Sequence, residues 1–196
     1  MYEKVNITEN TLQVLSLFTD GFDREYYIRE VEKLLKISPR TAQLILEDLE
    51  TKGIIKSKMR GKIKLYKLKI NWLSKKYIIF VEQYKEIAFM NEKILIKEII
   101  ERINPNINGI GLIFGSYVKG NYDKDSDLDV FVAGTYDKEK IKNISKMYGI
   151  EISIKCYPKD IFEENIHKDI LLREILKNHV IFSNTEEFIQ VVTENR

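Results

Sequence analysis

Cysteine is almost missing from this chain, since Cys156 stands alone among 196 residues. A lone thiol cannot form an internal disulfide, which excludes a disulfide-stapled fold. Its place in an apolar-alternating stretch reads as a thiol at the edge of a core, not a nucleophile. Histidine is as scarce, with only His167 and His179, and no cysteine near either to complete a zinc site. No apolar run reaches the roughly eighteen residues that would cross a membrane. The opening Met1-Tyr2-Glu3-Lys4-Val5-Asn6 lacks the charged-then-apolar form of a secretion leader. A cytoplasmic location is the expectation. Proline is down to three and glycine to nine, whereas apolar residues make up 44% and charged ones 32%, the balance of a globular protein. No internal repeat or low-complexity segment is evident.

Phe114 to Val132 holds the most chemistry. An apolar run, Ile110 to Phe114, ends at Gly115-Ser116, and ten residues later Asp127 and Asp129 open a second run, Val130 to Val132. Alternate strand residues share a face, so Asp127 and Asp129 would project together, as a divalent metal requires. A Gly-Ser turn offers backbone N–H groups to phosphate. Three other readings compete. A solvated loop of Asp, Asn, Lys and Gly remains open. A calcium loop using Asp123, Asp125, Asp127 and Asp129 fails, because Leu128 stands where the sharp turn needs glycine and Gly134 where a bidentate Glu is needed. A Walker-type loop fails because no Gly-x-x-x-x-Gly-Lys-Ser/Thr occurs near Gly111 or Gly115.

Gly115-Ser116, Lys119-Gly120, Ser126 and Asp127-Leu128-Asp129 together resemble the signature of the polymerase-β-like nucleotidyltransferases, most closely the minimal prokaryotic type. The resemblance implies a mixed-sheet fold in which the Gly-Ser turn contacts the triphosphate. It implies Mg²⁺ on Asp127 and Asp129, a third carboxylate on a neighbouring strand, and two-metal displacement. Gly115, Ser116, Lys119, Gly120 and Ser126 become the nucleotide-binding set; Lys119 stands where the family often has Arg. The third carboxylate is sought in Ile150-Glu151-Ile152-Ser153-Ile154-Lys155-Cys156, whose alternation predicts a half-buried strand with Glu151, Ser153 and Lys155 on its polar face. Glu151 is the choice. Sheet register is not fixed by one sequence, so Glu151 as a plain solvated residue, with Ser153 at that place, stays open.

Upstream, punctuation predicts helices. Thr8 caps a segment to about Phe18, with Leu12, Val14, Leu15, Leu17 and Phe18 apolar. A second helix fits Ile28 to Leu35 with Val31, Leu34 and Leu35 inward. Ser38-Pro39 opens a third, with Ala42, Ile45, Leu46 and Leu49 at core spacing, ending at Gly53. Lys52, Lys56, Lys58, Arg60, Lys62, Lys64, Lys67 and Lys69 follow without one acid, on two strands, Ile54 to Lys58 and Lys62 to Leu68, joined at Arg60-Gly61. This order resembles a winged helix-turn-helix domain over residues 1–70. By that resemblance Arg40, Thr41 and Gln43 face bases and Arg60 and Lys62 contact phosphate, making DNA the expected partner. A basic hairpin that is only a solvated face, with the domain serving protein contacts, is the blander reading.

Trp72 to Ile103 reads as one long helix, or two with a bend near Met90-Asn91, forming a connector over residues 71–106. Its apolar residues are expected in a core, and a homodimer contact is compatible with them. Asn104-Pro105-Asn106 breaks it. Beyond the acidic pair, helices are expected at Lys138 to Met147, Ile161 to Lys177 and, capped by Thr185, Glu186 to Val192, with a short apolar run at Val180 to Phe182.

The expectation is therefore an α+β protein with a nucleotidyltransferase domain over residues 107–196. It would move a nucleotidyl group from an NTP, with ATP the expected donor, to a hydroxyl on a protein, a small molecule or a nucleic acid end. The alternative is a DNA-binding transcriptional regulator whose nucleotidyltransferase fold senses nucleotide or is inactive. Minimal family members often work with a small helical companion protein, which leaves such a partner open.

Overall fold

The computed structural model describes residues 5–194. The chain divides into two compact units, residues 1–81 and 82–196.

The first unit begins with α1 (Glu9–Leu17), where Thr8 and Thr11 cap each other reciprocally. It continues with α2 (Ile28–Leu35) and α3 (Pro39–Thr51), the latter opened by Ser38, whose hydroxyl accepts from Thr41 N–H at 3.0 Å. β1 (Ile55–Arg60) and β2 (Ile63–Leu68) then pair antiparallel. Tyr26 and Tyr66 exchange backbone hydrogen bonds of 2.8 and 2.9 Å, tying the α1–α2 connection to β2. Val14, Leu15, Phe18, Val31, Ala42, Leu46 and Leu49 are buried, as the 3.6-residue spacing requires, and Tyr66 of β2 is buried with them. Leu34 is the exception. Expected inward, it is 53% exposed, because the eight-residue α2 turns mainly Val31 to the core.

α4 (Trp72–Glu92) is opened by Asn71 and Ser74, which bond each other's backbone N–H at 2.9 Å. The unit division falls inside this helix. The helix stops instead of bending at Met90-Asn91. Lys93 leaves helical geometry (φ −120°, ψ 71°), and α5 (Ile94–Ile103) starts anew. In the second unit Glu82 is fully buried, with Lys85 Nζ at 3.0 Å and His179 Nε2 at 3.4 Å.

β3 (Ile107–Ile113) follows a 3₁₀ turn at Asn104–Asn106 and starts three residues earlier than its apolar run suggested. After the single-turn α6 (Ser116–Lys119) comes β4 (Leu128–Tyr136), antiparallel to β3. α7 (Lys138–Tyr148) carries the chain to β5 (Ile152–Tyr157), parallel to β4. The single helix expected over Ile161 to Lys177 is two, α8 (Lys159–Asn165) and α9 (Ile170–Lys177), because the Asp169 side chain accepts from Leu172 N–H at 3.0 Å and starts a new helix. β6 (Val180–Ser183) pairs antiparallel with β3, and α10 (Thr185–Glu194) includes Thr185 in its first turn. The mixed sheet runs β5-β4-β3-β6.

Period-two alternation on β4 decides the layers. Leu128, Val130 and Val132 pack with Ile96, Ile99, Ile103 and Ile141 of α5 and α7. Asp129, Phe131 and Ala133 therefore point to the opposite face. There Phe131 is fully buried, 5.6 Å from the Phe162 ring and 5.5 Å from Tyr157. Phe131→Ala should destabilise this unit by about 3–5 kcal/mol in denaturant titration, since aromatic deletion leaves a cavity. A loss below about 1 kcal/mol would mean that this face is loosely packed.

Candidate functional site

The acidic pair and the Gly-Ser turn meet at one end of the β3–β4 pair. Phe114 N–H donates to the Asp129 carbonyl at 3.0 Å, which holds the turn after β3 beside the start of β4. Gly115 adopts φ +75°, and a Cβ built on it would lie 2.1 Å from Asp129 Oδ2. The Asp129 carboxylate therefore rests directly on the Gly115 backbone, which no other residue could permit. Gly115 precedes α6, and no side chain caps this turn. Gly120 (φ +73°) closes it in left-handed geometry. Ser116 is half-buried, and Lys119 is exposed at the last position of the turn.

The electrostatics of Asp129 fit this crowding. Burial pushes its pKa up, the Asp127 carboxylate raises it further, and the cations Lys155 and Lys119 partly offset both. A like-charged, partly desolvated carboxylate pair is a place where a cation lowers the energy.

Ser126 has a different geometric role from its neighbours. Its hydroxyl accepts from Asp123 N–H at 2.9 Å and donates to Asp123 Oδ1 at 3.0 Å, while Asp125 N–H donates to the same oxygen. These bonds fold the acidic loop on itself. The Tyr117 and Tyr122 rings stack at 4.4 Å, and the Lys93 ammonium lies 4.5 Å from the Tyr122 ring centre. Sequence reading did not single out this clamp; nothing in local spacing links Lys93 to Tyr122.

Glu151 stands one residue ahead of β5, exposed, with its carbonyl accepting from Leu128 N–H at 2.8 Å. It also lines a cleft with Ile141, Ser145 and Ile152, on the α7 side. The residue paired with Asp129 is Ser153, and Lys155 is paired with Phe131. Among the described residues no three His, Cys, Asp or Glu side chains are grouped to hold a metal ion. Asp129 lies on β4 and Asp127 in the loop just before it, and among the described residues no third carboxylate joins them.

In the first unit Arg40 is exposed and donates to Gln43 Oε1 at 3.4 Å, while Gln43 Nε2 donates to Glu47 at 2.8 Å. The Thr41 hydroxyl is engaged with Ser38 at 2.8 Å. Arg60 and Lys62 are exposed at the hairpin turn. On the outer hairpin face Lys56 lies directly opposite Lys67, a like-charge cross-strand pair. Lys58 is neutralised by Glu25, and Lys64 by Glu50 at 2.6 Å.

Residues 92–187 match the family described as polymerase beta nucleotidyltransferase. A relative from Methanocaldococcus jannaschii, MJ0604, named as a candidate protein adenylyltransferase, is 28% identical over 93 residues, which are 42% of this chain and 93% of that protein. The two matches support the nucleotidyltransferase superfamily for this segment. The solved structure of TrmBL2, an archaeal chromatin protein described as showing a novel mode of DNA binding, aligns over 81% of this chain and 68% of its own at 13% identity and a TM-score of 0.27. No described helix is long and apolar enough to cross a membrane.

Proposed function

We propose, from the nucleotidyltransferase match over residues 92–187, that this chain transfers the adenylyl group of ATP to a hydroxyl acceptor and releases pyrophosphate. One observation carries the reading: the Asp129 carboxylate seated on the Gly115 turn, with Asp127 two residues before it. Mg²⁺ is commonly bound by one or two carboxylates plus substrate phosphates, and Asp127 with Asp129 fits that donor set. The ion, when bound, screens phosphate charge and polarises the α-phosphoryl group. Backbone N–H groups after Gly115, the Ser116 hydroxyl and the Lys119 ammonium receive the triphosphate oxygens. Gly120 lets the chain turn away from them, and Ser126 orders the loop that delivers Asp127. The acceptor's oxygen displaces pyrophosphate from the α-phosphorus, and its proton passes to solvent. A protein hydroxyl is the favoured acceptor, in line with the name of the M. jannaschii relative.

Calorimetric titration with a non-hydrolysable ATP analogue tests the site. Binding is expected with Mg²⁺, and is expected to be lost without it or in Asp127→Ala. Equal binding in all three would sink the assignment.

The first unit reads as a winged helix-turn-helix that brings this site to DNA. Its support is the Lys56–Lys67 pair, whose mutual repulsion a phosphate backbone would relieve. Glu47 on the outer side of α3 and the engaged Thr41 hydroxyl favour backbone contact over base reading. Replacing Lys56 and Lys67 by alanine should lower the slope of log affinity against log salt by about two, because each phosphate contact contributes about one. An unchanged slope would remove both residues from the interface.

A second reading is favoured by Ser153 opposite Asp129: a DNA-binding regulator whose nucleotide site senses without turnover. Nucleotide binding without transfer, coupled to a change in DNA affinity, would support it.

A further inference from the structure

We infer that this site holds one divalent cation, not two, and that the Lys155 ammonium provides the second positive charge beside the phosphates; this rests on the nucleotide site proposed above. A second ion would sit about 3.5–4 Å from the first and need oxygen donors of its own, preferably anionic. β5 is the strand that would supply them, because it runs parallel and next to β4. Its residue opposite Asp129 is Ser153, and the next residue on the same face is Lys155. A neutral hydroxyl and an ammonium stand where carboxylates would be required. Glu151 does not fill the gap, since it lies before β5 and at a cleft on the α7 side. Lys155 follows Ser153 by two residues on the same face of β5, which places it on the side of the sheet that bears Asp129. A fixed ammonium repels a second cation and attracts a phosphate oxygen, as a metal would, without a coordination shell.

Electron paramagnetic resonance counting of bound Mn²⁺, with a saturating non-hydrolysable ATP analogue, tests this directly. The wild-type chain and Glu151→Gln should each bind one Mn²⁺, and Ser153→Asp combined with Lys155→Ala should bind two. Independently, Lys155→Met should weaken analogue binding about tenfold at an unchanged Mn²⁺ count, the loss of one charge-assisted bond, and Lys155→Arg should restore it. This second comparison needs no new buried charge and stands even if the double variant fails to fold. Two Mn²⁺ in the wild type, falling to one in Glu151→Gln, would overturn the inference and leave the nucleotide site intact. A folded double variant that still binds one ion, or unchanged affinity in Lys155→Met, would also overturn it. Absence of Mn²⁺ and analogue binding in the wild type would overturn the site itself.

Discussion

Asp129→Asn is expected to lower nucleotidyl transfer by roughly two to three orders of magnitude and to raise the melting temperature. The two effects share a cause. Asp129 is pressed onto Gly115 and stands next to another carboxylate, so burial and then Asp127 raise its pKa in the folded chain. A raised folded value means that the unfolded chain holds the negative charge more easily. The ionised side chain therefore destabilises the fold above the ordinary carboxylate range, and that penalty vanishes when pH falls below it. Asparagine keeps the shape and removes the charge. Calorimetric scans should show the variant melting higher than wild type at pH 7, with the difference gone near pH 3. An equal or lower melting temperature at pH 7 would mean that the carboxylate is stabilised in place, against the effect of burial and of Asp127. The trade of stability for function is common at active sites.

Gly115→Ala should abolish analogue binding and destabilise the second unit by about 1–3 kcal/mol. Two penalties coincide there: a left-handed φ of +75° and a Cβ 2.1 Å from Asp129 Oδ2. They can be separated, because Gly149 has a similar φ of +66° and open space around its Cβ. Gly149→Ala should carry the backbone penalty alone and bind the analogue as wild type does. If Gly115→Ala binds normally too, the Asp129 carboxylate does not depend on that turn.

Much of this arrangement is legible in the sequence where a local rule sufficed. Ser38-Pro39 marks the start of α3, and the alternation over Ile152, Ser153 and Ile154 marks β5. The acidic pair is visible because Asp-x-Asp runs straight into a Val-rich stretch, although only Asp129 lies on β4 and Asp127 belongs to the loop just before it. What stayed hidden depends on partners far along the chain. The helix break at Lys93 accompanies a ring contact with Tyr122, which no helical period announces. Leu34 looks like a core residue by spacing, but the short α2 leaves it outside. Opposite Asp129, the alternatives Glu151 and Ser153 differ by a shift of the strand register, which alternation alone cannot set. The β4–β5 pairing puts Ser153 there, and with it Lys155 on the same face, a residue that the apolar pattern gave no reason to choose.

The most direct measurement follows phosphorus. The protein would be incubated with Mg²⁺, a mixture of protein acceptors and ATP labelled at either the α or the γ position. Label is expected in protein from the α-labelled nucleotide only, stable to a second wash in excess unlabelled ATP, and absent from Asp127→Ala. Label arriving from the γ position, or equal labelling by wild type and Asp127→Ala, would contradict nucleotidyl transfer at this site.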